Sequence, residues 1–188
     1  INNKRLNNAI GRDIMDNLIL VKPTTDLKEQ ALDYRQEHFE KGEKIINGSA
    51  LLDNLTYEEW LEHLEKSSNP DTVAKDWVDA TTFFVVRTSD NRIVGMVDIR
   101  HRLNYFLSIC GGHIGYSVRP SERKKGYGTE ILKQALEYAK TININNVMLA
   151  CYKENEGSRK IIVKCGGKLE KEFTYIDGKI IQVYWIDN

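Results

Sequence analysis

The sequence predicts a mixed α/β (α+β) chain, and three observations carry that reading. Short runs with strand periodicity recur along it, among them 82–87, 93–100, 113–118 and 147–152. Between them lie stretches whose apolar residues return every three or four positions, most plainly Ile131, Leu132, Ala135, Leu136 and Ala139. Taken end to end, the two periods give the order β-α-α-β-β-β-α-β-α-β-β, about six to seven strands in a mixed central sheet with four helices. At 188 residues, with no linker, repeat or low-complexity tract, the chain makes one domain with a sizeable core.

Each element has its own signal. Leu18 to Lys22 reads as a strand stopped by Pro23. Thr24 or Thr25 can cap a helix to about Glu40, with Leu27, Ala31, Leu32, Tyr34 and Phe39 on its apolar side. Gly42 to Asn54 is irregular. Thr56-x-x-Glu59 is a capping box, and Trp60, Leu61 and Leu64 supply the buried face of the helix it opens. Ser67 to Val78 is a long loop that Trp77 should pin to the body. Thr82–Arg87 and Ile93–Arg100 form a hairpin through Ser89-Asp90-Asn91. A connection through Asn104 and Gly111-Gly112 leads to the strand His113–Val118. The third helix follows a glycine turn. Val147–Tyr152 is apolar almost throughout, as in a strand covered on both faces. The fourth helix runs from about Asn155 to Lys164 and stops at Gly166-Gly167. Lys168–Thr174 and Ile180–Ile186, joined through Asp177-Gly178, close the chain as a hairpin.

Positive and negative residues balance at 27 each, so no global field favours nucleic acid or an anionic membrane. No apolar run is long enough to span a bilayer, and the N-terminus lacks a signal-peptide core. Residues 1–14 are expected to be a disordered extension or an appended remnant, with Met15 as the natural start and 15–188 as the single domain. Cys110, Cys151 and Cys165 are odd in number and widely spaced, which fits free thiols in a reducing cytoplasm. No metal-ligand spacing is present.

The local charge feature is more informative. After the strand ending Val118-Arg119-Pro120 comes Arg123-Lys124-Lys125-Gly126-Tyr127-Gly128-Thr129, a basic turn with two glycines that opens a helix. Backbone N–H groups at such a turn, together with the positive end of the helix, bind anions. Three other motifs fail on single residues. A P-loop needs Lys before Thr129, a dinucleotide fingerprint needs a small residue at Ile131, and a nucleophile elbow needs Gly at Arg119.

Arg-x-x-Gly-x-Gly from Arg123 to Gly128 resembles motif A of the GNAT superfamily, the GCN5-related N-acetyltransferases. Asn155-Glu156-Gly157-Ser158, followed by Cys165-Gly166-Gly167, resembles motif B. The likeness spans nearly everything after Met15 and is closest to the bacterial predicted acetyltransferases. It implies the GNAT fold, acetyl-CoA as cosubstrate without a metal, and a primary amine acceptor. It also implies that His113–Val118 and Val147–Tyr152 are parallel neighbours splayed at one end, with pantetheine bonded by backbone groups of Tyr116, Ser117 and Val118. The pyrophosphate would lie on Arg123 to Thr129, with Asn155 and Ser158 on the pantetheine side. Asn155 reads equally well as a helix cap.

For the chemistry, His113 is the candidate base, because imidazole titrates near neutrality; a hydrogen-bonded loop histidine is the plainer alternative. Tyr152 offers a hydroxyl to the leaving sulfur or an aromatic wall. Many relatives place a Tyr seven residues after the motif B Asn, where this chain has Ile162. Asp98 and Arg100 are candidate contacts for the acceptor, though hairpin-end charges explain them as well. The leading reading is direct transfer from acetyl-CoA to an amine in a ternary complex. The runner-up is a catalytically silent acyl-CoA-binding sensor, and a nucleotide or nucleic-acid module ranks third. Val183, Tyr184 and Trp185 on the closing hairpin leave a homodimer open.

Overall fold

The computed structural model describes residues 17–188; the expectations for residues 1–14 and Met15 lie outside them. Seven strands and four α-helices follow the anticipated order. The strands are β1 (Leu18–Val21), β2 (Ala80–Arg87), β3 (Arg92–Arg100), β4 (Ile114–Val118), β5 (Asn146–Tyr152), β6 (Lys168–Thr174) and β7 (Ile180–Asp187). The helices are α1 (Lys28–Glu40), α2 (Tyr57–Ser67), α3 (Tyr127–Thr141) and α4 (Glu156–Lys164).

The strands form two sheets, not one continuous sheet. β1-β2-β3-β4 is antiparallel throughout, and β5-β7-β6 is a separate antiparallel sheet. The expected parallel pairing of β4 with β5 is absent as a ladder. Their backbones are linked just before β4, where the His113 N–H donates to the Met148 carbonyl at 2.7 Å and Gly112 bridges Leu149, and beyond that point no ladder joins the two strands.

Side-chain alternation sorts β2 between two cores. Phe83 and Val85 pack with Ile131, Leu132 and Ala135 of α3, in a cluster that continues to Val147, Leu149 and Ile186 of the second sheet. Phe84 and Val86 face the other way, onto Tyr34 of α1 and Trp60 of α2. Each large side chain buried this way contributes about 1.5–3 kcal/mol. Thr56 caps α2 with both halves of the capping box.

Some local details differ from expectation. Thr24 makes no side-chain cap, and a 3₁₀ turn, Thr25–Leu27, precedes α1. α1 buries Ala31, Tyr34 and His38, while Phe39 lies at the surface. Trp77 is half-exposed and meets the edge of His63, so it fastens its loop to α2 and not to the core. A π-helical turn, Leu107–Gly111, fills the connection before β4. Val183 and Tyr184 are buried within the chain. No described helix is long and apolar enough to cross a membrane.

Candidate functional site

A cleft of about 1060 Å³ opens where β4 and β5 part. In the β3–β4 ladder, Arg100 N–H donates to the His113 carbonyl and Arg119 N–H to that of Val94. With the register Met96↔Ser117 and Asp98↔Gly115, antiparallel geometry commits the backbone of residues 113, 115, 117 and 119 to β3. The backbone of Tyr116 and Val118 therefore turns to the cleft edge. Of the three residues expected to offer backbone groups, Ser117 has already given its own to β3, and its hydroxyl lies 2.9 Å from that of Tyr34.

At the open end of β4 the chain turns into α3. Lys124 (φ 64°) and Gly126 (φ 86°) both adopt left-handed backbone, which curls successive N–H groups toward one side. The backbone N–H groups of Lys124, Lys125, Gly126 and Gly128 have no acceptor among the described residues. An added Cβ at Gly128 would lie 2.5 Å from Ile161 Cδ1, so glycine here lets α3 and α4 close up beside the turn. Backbone N–H groups arranged in this way form a cradle that suits an anion.

Its three cations are not equivalent. Arg123 forms a bidentate ion pair with Glu43, at 2.5 and 2.7 Å, and its Nε donates to the Val118 carbonyl. That pairing holds the Glu43 carboxyl at about 2, well below its ordinary value. Lys125 pairs with Glu122 at 2.7 Å. Lys124 has no carboxylate partner among the described residues. Tyr127 is buried, its hydroxyl accepting from Arg87, and Thr129 lines the cleft within the first turn of α3.

From the other wall, the Asn155 side chain accepts from Ser158 N–H at 3.1 Å and so caps α4. The Ser158 hydroxyl lies 3.2 Å from that of Tyr116, and burial pushes the Tyr116 phenol upward in pKa. This pair spans the cleft between β4 and α4.

The candidate acid–base residues are placed less favourably. His113 Nδ1 accepts from Met148 N–H at 2.9 Å. Burial, with Arg100 adding to it, lowers its pKa to about 4. A neutral imidazole accepting at Nδ1 carries its proton on Nε2, so neither nitrogen is free to take another. His113 is also absent from the cleft lining, and its place is a pin between the sheets. Tyr152 lines the cleft but donates its hydroxyl to Asp177 at 3.0 Å. Asp98 is buried, accepts from Thr82 and pairs with Arg100, and does not reach the cleft. Arg100 does line it, with Nη1 donating to the carbonyls of Gly111 and Gly112. Ile162 is buried and borders the cleft from α4. No group of three or more metal-ligating side chains occurs among the described residues.

Sequence reading missed the α1 side of the site. His38 is buried with Nδ1 2.8 Å from Glu43, and burial lowers its pKa. Gly48 (φ 73°) lies against the Gly115 and Tyr116 backbone so closely that a Cβ would collide with main chain. No local pattern in the sequence announces either contact.

The acetyltransferase (GNAT) domain family model matches residues 17–168. No curated protein matches the chain. Among solved structures, the ribosomal-protein-S5-alanine acetyltransferase from Vibrio fischeri is 20% identical with a TM-score of 0.65, covering 91% of this chain and 92% of that one. The microcin C7 self-immunity acetyltransferase MccE, solved with acetyl-CoA and AMP, is 19% identical with a TM-score of 0.65, over 92% and 93%. Spermidine/spermine N-acetyltransferase SpeG from Vibrio cholerae is 18% identical with a TM-score of 0.63, over 90% and 92%. At these identities the likeness is one of fold.

Proposed function

This chain belongs to the GNAT acetyltransferase domain family, and on that footing we propose that it transfers the acetyl group of acetyl-CoA directly to a primary amine in a ternary complex. The observation that carries the reading is the backbone cradle at Lys124–Gly128, set at the mouth of a cleft whose β4 edge leaves the Tyr116 backbone and the Val118 N–H without a partner among the described residues, the Val118 carbonyl being held by Arg123. A pyrophosphate fits the first, and an amide-bearing arm laid along β4 like an added strand fits the second. Acetyl-CoA would supply the thioester carbon. The amine nitrogen bonds to that carbon, the carbon–sulfur bond breaks, and one proton leaves the nitrogen while the thiolate takes one.

The residues of this chain then bind and orient. Lys124 supplies the cradle's unpaired charge, and Arg123, fixed by Glu43, holds the Val118 carbonyl and with it the end of β4. With His113 engaged at Nδ1, deprotonation falls to solvent reached through the open cleft, and the rate rests mainly on proximity. The half-buried free thiols Cys110, Cys151 and Cys165 support a reducing, cytoplasmic setting.

One observation favours the silent-binder alternative: Ile162 lies in the core where many relatives present a tyrosine. Titration calorimetry with acetyl-CoA, run beside Gly126→Glu, tests the cofactor site, and turnover over an amine panel separates enzyme from sensor. Micromolar binding lost in the variant is the expected result. A folded parent that ignores acetyl-CoA would end both readings.

A further inference from the structure

Charge divides the cleft in two. Its only lining carboxylates among the described residues are Glu43 and Glu122, and both are consumed by ion pairs beside the anion cradle. The rest of the lining carries a set of apolar and aromatic side chains, Ile45, Phe106, Leu107, Tyr152 and Tyr175, with Asn47, Asn155 and Ser158 as neutral polar groups beside them. Away from the turn the charged side chains of the lining, among the described residues, are both cations: Arg100, tied to Asp98 and two carbonyls, and Lys160, paired with Glu156. Asp177, the carboxylate near this wall, accepts from the Tyr152 hydroxyl and the Lys179 N–H.

Several of these side chains sit in water at a cost. Ile45 is 76% exposed and Phe106 55%. Ile45 is also rigidly presented. The next residue, Ile46, donates its N–H to Asp53 at 2.8 Å, and the Trp60 indole holds the Ser49 carbonyl at 2.8 Å. The same short loop places Ala50 (φ 48°) and Leu51 (φ 74°) in left-handed backbone, a strained arrangement for two consecutive residues with side chains.

We propose that the acceptor is a primary amine carried next to a large apolar or aromatic group, and not a polycation. This rests on the acetyltransferase reading above, whose cofactor half takes the cradle and leaves the apolar half for the acceptor. A polyamine's second and third charges would meet no free carboxylate on this wall, whereas an aromatic side chain would cover Ile45 and Phe106 and remove apolar surface from water. Two sources share this chemistry: a free aromatic amine and a peptide N-terminus that begins with a bulky apolar residue.

The experiment compares phenylalaninamide, a Phe-Ala-Ala peptide amide, alaninamide and spermidine as acceptors, reading CoA thiol release and product mass. Calorimetry of acetyl-CoA on the same protein runs in parallel. Expected is a kcat/KM for a phenylalanine-bearing acceptor at least about tenfold above alaninamide and spermidine, with the free amide and the peptide arms telling the two sources apart. Phe106→Asp and, independently, Ile45→Asp, both on exposed side chains, should raise KM for that acceptor about tenfold and leave acetyl-CoA affinity unchanged. Preference for spermidine, indifference to both variants, or no turnover of any phenylalanine-bearing acceptor by protein that binds acetyl-CoA would overturn the inference alone. Loss of acetyl-CoA binding in the parent would remove the underlying reading as well.

Discussion

Gly48→Ala probes the contact that ties the α1–α2 segment to the wall of the cleft. Two costs are expected: left-handed backbone at φ 73°, about 1–2 kcal/mol for a residue with a Cβ, and a Cβ driven into the main chain of Gly115 and Tyr116. Overpacking of this kind costs about 1–3 kcal/mol, and backbone cannot swing aside as a side-chain tip can. Gly42→Ala is the internal control, because Gly42 has φ 77° with nothing within 4 Å of an added Cβ. Both substitutions stiffen the unfolded chain alike. The difference between them therefore isolates the overpacking, about 1–3 kcal/mol, or roughly 2–12 °C in Tm for a domain of this size. Urea and thermal unfolding of both variants measure it. The acceptor KM should rise only in Gly48→Ala, since Ile45–Gly48 lines the cleft. A difference below about 0.5 kcal/mol would refute the claim that backbone, and not a yielding side chain, meets the new methyl.

The pH dependence follows from two depressed groups. His113, about 4 when folded against an ordinary 6.5, is neutral in the native state, so its contribution is full above pH 6.5 and is lost as pH falls toward 4. Glu43, about 2 against 4.5, contributes above pH 4.5 and its contribution is lost as pH falls toward 2. Arg123→Gln should flatten that lower limb in urea midpoints taken across pH. His113→Ala, which leaves the buried Met148 N–H without its acceptor, should cost about 1–3 kcal/mol, yet leave the pH–rate profile of the residual activity unmoved. A displaced profile would restore His113 as the base. Asn155→Ala should cost about 1 kcal/mol through loss of the α4 cap, measurable as a shift in urea midpoint at constant slope.

Periodicity and turn chemistry are local, so they were legible: the Thr56 capping box, the α3 stripe from Ile131 to Ala139 and the order of elements all follow from neighbours in sequence. Two kinds of error have a common physical source. Phe39 was placed inside and His38 passed over, because hydropathy alone ranks phenylalanine inward. In the fold, His38 occupies the buried i+7 position after Ala31, where its Nδ1 pairs with Glu43. His113 likewise looked like a base because its ordinary pKa suits one. What decides its role is Met148, 35 residues away, whose N–H occupies the lone pair. The resemblance implied that β4 and β5 splay at one end, but their complete division between two sheets escaped for the same reason, since nothing in either strand records that they pair with β3 and β7 and not with each other.

The motif arginine shows how far such distant partners can redirect a site. As sequence, Arg123-Lys124-Lys125 is three cations facing an anion. In the fold, Glu43 takes both Nη groups of Arg123 from 80 residues upstream, and Glu122 takes Lys125. A paired guanidinium has little net charge left for a phosphate, but it is rigid, and its Nε still grips the Val118 carbonyl. In the proposed function, recognition then falls to the backbone N–H groups of the turn and to Lys124, which the left-handed φ of Lys124 and Gly126 arranges. On the proposed reading the motif arginine acts by holding the end of β4, and Glu43 belongs with the proposed anion site as much as the residues that read as one in the sequence.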